Sequence, residues 1–228
     1  MALLALFDVD GTLLLSDDPV AGEAFNAALR DLYPVDPAPD AVAHVDHPGQ
    51  TAPRIARLVL RAEGLGDEAI DEGLGGWCGR FAERYVALLA KADTSAWVAP
   101  PYAAGALERL EDGGVLLALL TGNPEPMARA RMERLGLGGF FSEGQGAFGC
   151  DAEDRVELLA IARERAGGWP AERTAEIGDT CRDVRTAHAA GVKSVVVRSP
   201  RVHGEFHSAD AVCDDLAAVA ELLLAWSR

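Results

Sequence analysis

Lysine is almost missing from this 228-residue chain, which carries only Lys91 and Lys193 against 19 arginines. Any cationic role therefore falls mainly to arginine. Positive charge as a whole is in deficit: 36 acidic residues against 21 basic ones leave a formal net charge of −15. A surface of that sign excludes non-specific binding to nucleic acid or to an anionic membrane, both of which need a basic face. There is also no apolar run near the ~18 residues that span a bilayer. The opening Met-Ala-Leu-Leu-Ala-Leu-Phe has no basic flank and meets Asp8 too early for a secretion signal, so it reads as a buried strand and places the chain in the cytoplasm. The four cysteines, Cys78, Cys150, Cys181 and Cys213, are far apart and lack metal-ligand spacing. They are expected to be free thiols.

What is present is an alternation of apolar runs and helical patterns. Ala2–Phe7, Val115–Leu120, Thr174–Ile177, Ser194–Val197 and a weaker Ala211–Cys213 read as strands covered on both faces. Between them, Ala103, Ala106, Leu107 and Leu110 follow helical spacing with Gly113 as the stop. Asn123-Pro124 opens a helix with Ala128, Met132 and Leu135 inward, and Leu216 to Trp226 closes the chain as another. The pattern predicts a doubly wound, mostly parallel α/β sheet, a Rossmann-like core. Residues 16–98 break the rhythm. They carry 14 acidic and 7 basic side chains and no convincing strand, and they are too long for a loop. Two helices stand out there. One has Ile55, Leu58, Val59 and Ala62 inward with Arg54, Arg57 and Arg61 outward; the other has Trp77, Phe81, Tyr85 and Leu88 along one face. The expected division is a core of residues 1–15 and 99–228 with a helical insertion, 16–98, over the C-terminal edge of the sheet.

Four polar clusters follow strand ends. In Asp8-Val9-Asp10-Gly11-Thr12 two carboxylates two apart can face one cavity, and Gly11 lets backbone amides approach an anion. Thr121-Gly122-Asn123 offers a hydroxyl and free amides at a helix start, a natural phosphate cradle. Arg155 supplies a cation at the start of the next helix. Gly178-Asp179-Thr180-Cys181-Arg182-Asp183 adds two carboxylates. Three carboxylates without a nearby histidine or cysteine suit a hard cation, with Mg²⁺ the default. A metal, a basic residue and a hydroxyl gathered on one carboxylate are what phosphoryl transfer requires.

Together these clusters resemble the four motifs of the haloacid dehalogenase superfamily, in order and over essentially the whole chain. The helical insertion resembles the cap of its phosphoglycolate phosphatase and β-phosphoglucomutase branch. The resemblance implies that Asp8 is the nucleophile and forms an aspartyl phosphate. Asp10 would be the general acid and base, and its first role as an acid asks for negative or buried surroundings that hold a proton. Mg²⁺ would sit on Asp8, the Asp10 backbone carbonyl, Asp179 and Asp183. Thr121, Gly122, Asn123 and Arg155 would hold the phosphoryl group. Relatives mostly use lysine in the third motif; neither Lys91 nor Lys193 fits, so Arg155 takes the place by position. In the cap loop His47-Pro48-Gly49-Gln50-Thr51-Ala52, Ala52 replaces the acid of a Gly-x-Thr-Asp turn. Asp10 itself points to phosphate chemistry rather than dehalogenation.

Each cluster also has a plainer reading. Thr121-Gly122-Asn123 could be an ordinary helix cap, Asp179 to Asp183 an acidic first turn, and Arg155 an exposed helix residue like Arg163 and Arg165. Trp77, Phe81 and Tyr85 read as core of the insertion more readily than as a substrate platform. Arg54 and Arg57 could meet an acidic substrate, although a solvated helix face is the simpler explanation. His203 and His207 are four apart but Gly204 lies between them, which argues against a metal site. The leading function is Mg²⁺-dependent hydrolysis of a small phosphate monoester, either a phosphoglycolate-like acid or a sugar phosphate. A sugar-phosphate mutase or a catalytically silent phosphate-binding protein remains open. The partner is a small phosphorylated metabolite, and the insertion's apolar face would allow a homodimer.

Overall fold

The computed structural model describes residues 2–199, 206 and 208–228; His203 and His207 lie outside them. Six strands form one parallel sheet: β1 (Leu4–Phe7), β2 (Leu116–Thr121), β3 (Ala147–Phe148), β4 (Thr174–Gly178), β5 (Lys193–Val197) and β6 (Ala211–Cys213), in the order β3-β2-β1-β4-β5-β6. Strand β1 is central and wholly buried, which explains its unbroken apolar run. Its side chains alternate between two cores, Leu3, Ala5 and Phe7 on one face and Leu4 and Leu6 on the other.

Helices cover both faces. On the first lie α4 (Ala103–Asp112), α5 (Glu125–Arg134) and α8 (Leu216–Ser227), contributing Leu107, Met132 and Leu223 to the core. On the second lie α6 (Arg155–Arg165) and α7 (Cys181–Ala189), contributing Leu158, Leu159 and Ala187. The fold is the expected doubly wound α/β arrangement. Among the described residues no helix is long and apolar enough to cross a membrane.

Residues between β1 and α4 are helical: α1 (Ala21–Leu32), α2 (Ala52–Ala62) and α3 (Asp67–Leu89). They surround a buried cluster of their own, in which Trp77 meets Phe25 edge-on at 5.0 Å and stacks on Phe81 at 5.1 Å. Three features differ from the sequence expectation. Helix α1 was not anticipated. On α2 the buried positions are Ala56, Val59 and Leu60, whereas Ala62 is exposed. Cys78 on α3 and Cys150, just after β3, form a disulfide with Cα atoms 5.8 Å apart, which overturns the expectation of free thiols for that pair. Two cysteines 72 residues apart are brought together by tertiary packing, to which sequence spacing is blind. Cys181 and Cys213 remain free thiols.

Candidate active site

Because all six strands run parallel, the polar segments after β1, β2 and β4 emerge at one edge of the sheet. The chain moves outward in opposite directions from β1 and β4, the neighbouring strands where α/β folds open a crevice. A cavity of about 770 Å³ lies there, lined by Asp8, Asp10, Gly11, Thr121, Gly122, Asn123, Arg155 and Asp179 from the sheet side. Asp183 sits beneath this floor, buried. Every predicted site residue thus reaches the same place.

The floor is a set of carboxylates taken out of water. Oxygens of Asp8, Asp179 and Asp183 lie within 4.8 Å of one another, and all three residues are buried. Burial pushes the Asp8 carboxyl well up; Arg155 opposes this, while Asp183, Asp179 and Asp10 reinforce it. Burial, then Asp183 and Asp10, bring Asp179 up to about 7. Asp179 Oδ1 is buried without a hydrogen-bond partner. A cluster of anions with an orphaned oxygen fits a divalent cation, which would remove both the repulsion and the unmet lone pair. The turn leaves room for the Asp179 carboxylate itself: Gly11 has φ +83°, and a Cβ there would collide with it.

Arg155 occupies the first turn of α6, whose N-cap Asp154 accepts from the Val156 amide. Its Nη2 donates to Asp183 Oδ1 at 2.6 Å and Asp8 Oδ1 at 3.3 Å. Burial alone would weaken its positive charge, but Asp183, Asp8 and Glu176 together hold its pKa above the ordinary arginine value. Arg163 and Arg165 turn away, to the Trp169 carbonyl and to Asp151. Lys193 lies over the Trp226 ring and Lys91 is exposed, so neither lysine reaches the site. Asp183 also closes a capping box with Thr180 at the start of α7, so the plainer reading of that segment and the site reading are both true of it.

Asp10 has surroundings unlike those the sequence suggested. Its side chain is 45% exposed, and a cation contacts it directly while the Asp8 and Asp179 carboxylates stand near. Arg131 Nη1 donates to both carboxylate oxygens at 3.0 and 2.9 Å, and Asn123 Nδ2 donates to Oδ2 at 2.6 Å. Arg131 comes from α5 and is fully buried. It also donates to Asp18 Oδ2 from Nη2 at 2.8 Å, while Tyr85 gives Asp18 its hydroxyl proton at 2.6 Å. The chain from Asp10 through Arg131 and Asp18 to Tyr85 links the sheet edge to α3.

Arg131, Asp18 and Glu176 escaped the sequence reading. Arg131 had a usable signal: it stands three residues after the inward-facing Ala128, where an arginine is unexpected. Glu176 had one as well, being a lone acid inside an apolar strand. It is buried with both oxygens lacking a hydrogen bond, 3.6 Å from Arg155, and burial raises its carboxyl well above the usual range against the pull of that arginine. Thr51 N-caps α2 and its hydroxyl donates to the Glu153 carbonyl. The Ala52 amide donates to the Gly122 carbonyl at 2.7 Å. A Cβ on Gly122 would strike the Gln50 carbonyl, so glycine is what lets this loop reach the sheet edge.

With this geometry the relatives can be compared. The profile of the haloacid dehalogenase-like hydrolases matches residues 3–191. The chain belongs to that family. It is 33% identical to a phosphoglycolate phosphatase of Rhodospirillum rubrum, over 98% of this chain and 91% of that protein. It is 30% identical to the tyrosine-protein kinase PtkA of Mycobacterium tuberculosis, over 85% of this chain and 61% of that one. Among solved structures, CbbY from Rhodobacter sphaeroides in complex with phosphate superimposes with a TM-score of 0.69 and 21% identity, covering 96% of each chain.

Proposed function

We propose that this enzyme hydrolyses a small phosphate monoester with Mg²⁺, through a phosphoryl group carried on Asp8. The observation that supports this best is the meeting of Asp8, Asp10, Thr121, Asn123, Arg155 and Asp179 around one cavity. The similarity to phosphoglycolate phosphatases points the same way. Asp8, Asp179 and Asp183 would hold the metal with the Asp10 backbone carbonyl, and the bound ion would neutralise charge on the transferring oxygens.

In the first step an Asp8 oxygen attacks phosphorus and the bond to the leaving oxygen breaks, while Asp10 delivers a proton to that oxygen. In the second, Asp10 takes a proton from water, the water oxygen attacks phosphorus, and Asp8 is freed with release of inorganic phosphate. Thr121, the amides at Gly122 and Asn123, and Arg155 hold the phosphoryl oxygens; the forked, permanently charged guanidinium suits that task. Residues 16–98 act as the cap over a core of 1–15 and 99–228. The test is phosphate release from a panel of phosphorylated metabolites with Mg²⁺ and with chelator. Release that needs Mg²⁺ is the expected result, and its absence from every compound with the fold intact would refute the reading.

A further inference from the structure

The wall of the cavity opposite the phosphoryl cradle decides what leaving group can enter. Phe25, Phe81, Val42, Ile55 and Met127 give that wall an apolar body, with Asp17, Asp18 and Asp40 as its acids. Among the described residues, three basic side chains line the cavity: Arg131, Arg155 and His47. Arg131 is already flanked by two carboxylates, Asp10 and Asp18. Arg155 lies on the floor with Asp8 and Asp183. His47 turns Nδ1 to the Val45 carbonyl at 3.1 Å.

The arginines of α2, which could have met an acidic substrate, face elsewhere. Arg54, Arg57 and Arg61 line an adjoining cavity of about 680 Å³, which shares Gln50 and Arg155 with the first. There Arg57 pairs with Glu153 at 2.7 Å and Asp71 at 2.7 Å, and Arg61 with Asp67 at 2.8 Å. Arg57 is 11% exposed, whereas Arg54 and Arg61 are 41% and 44% exposed, so this face is a solvated ion-pair network with Arg57 at its shielded centre. A carboxylate entering the first cavity would lose water, find both arginines already paired with aspartates and His47 as the one other basic side chain among the described lining residues, and approach Asp17, Asp18 and Asp40. Volume argues in the same direction, since about 770 Å³ lies within the ~300–1,000 Å³ of pockets that hold drug-sized molecules and far exceeds a two-carbon acid.

Resting on the phosphatase reading above, we propose that the leaving group is an uncharged alcohol with an apolar body, and that esters carrying a carboxylate, phosphoglycolate among them, are poor substrates. The test compares kcat/KM for 2-phosphoglycolate and 2-hydroxyethyl phosphate, which differ only in a carboxylate against a hydroxymethyl group, and adds benzyl phosphate. The neutral member of the pair should be favoured by about 10²-fold, with benzyl phosphate better still by about tenfold. Ile55→Lys should narrow the first ratio at least severalfold by giving the wall a cation. Equal or preferential turnover of 2-phosphoglycolate by the unaltered enzyme overturns the proposal and leaves the phosphatase reading standing. No Mg²⁺-dependent release from any of the three compounds overturns both.

Discussion

Asp10, the side chain proposed to move protons in both chemical steps, is held in place by Arg131. The guanidinium is fully buried and holds Asp10 and Asp18 together, so removing it strands a buried carboxylate. Arg131→Leu should therefore cost about 3–5 kcal/mol in urea unfolding and lower kcat, while Arg131→Lys, which keeps the charge without the fork, should recover stability better than turnover. Asp10→Asn should reduce kcat by about 10²–10⁴-fold with little change in KM and leave the fold intact, because Arg131 loses one carboxylate but keeps Asp18; steady-state kinetics decide this. At this scale the residues after strand ends were legible, because glycine, threonine and acids interrupt apolar runs there. The partners of those residues were not. Arg131 and Glu176 lie inside elements, and their charge is matched only by groups distant in sequence.

Secondary-structure elements aim this chemistry by their ends. Helices α5, α6 and α7 begin at Glu125, Arg155 and Cys181, so three N-termini point at a place where a dianionic phosphoryl group is proposed to bind. The strands β1, β2, β4 and β5 could be read from their apolar runs, but the two-residue β3 could not, being too short for any periodicity. Helix α1 was hidden by its mixed composition. The link from α3 to the segment after β3 was hidden for another reason: the Cys78–Cys150 bond joins residues 72 apart. Closing a loop of that length removes unfolded-chain entropy of about 4 kcal/mol. Cys78→Ser, or addition of reductant to the wild type, should lower Tm by a matching amount, and an unchanged Tm would show that the bond contributes nothing net.

Over the whole molecule, a net charge of −15 surrounds a site that must attract an anion. The cation needed for that is proposed to come from the metal and from Arg155, both seated on acids. Metal binding should then compete with protons. Asp179 titrates at about 7 without metal, above the ordinary aspartate value, so below that pH it binds a proton in place of the ion. Mg²⁺ affinity measured by calorimetry should weaken by about tenfold or more per pH unit below 7, since the raised Asp8 carboxyl competes for a proton as well; a flat profile from pH 6 to 8 would contradict this. Doubly wound topology was legible from the alternation of runs, whereas the substrate wall was not, because it is assembled from α1, α2, α3 and α5 only when they pack. The most direct test of the central claim is to mix enzyme, Mg²⁺ and a turned-over phosphate ester, quench in acid and map the modified peptide by mass spectrometry. One phosphoryl group on Asp8, absent in Asp8→Asn, is the predicted result; steady turnover with no phosphoryl group on Asp8, or with one on another residue, would contradict it.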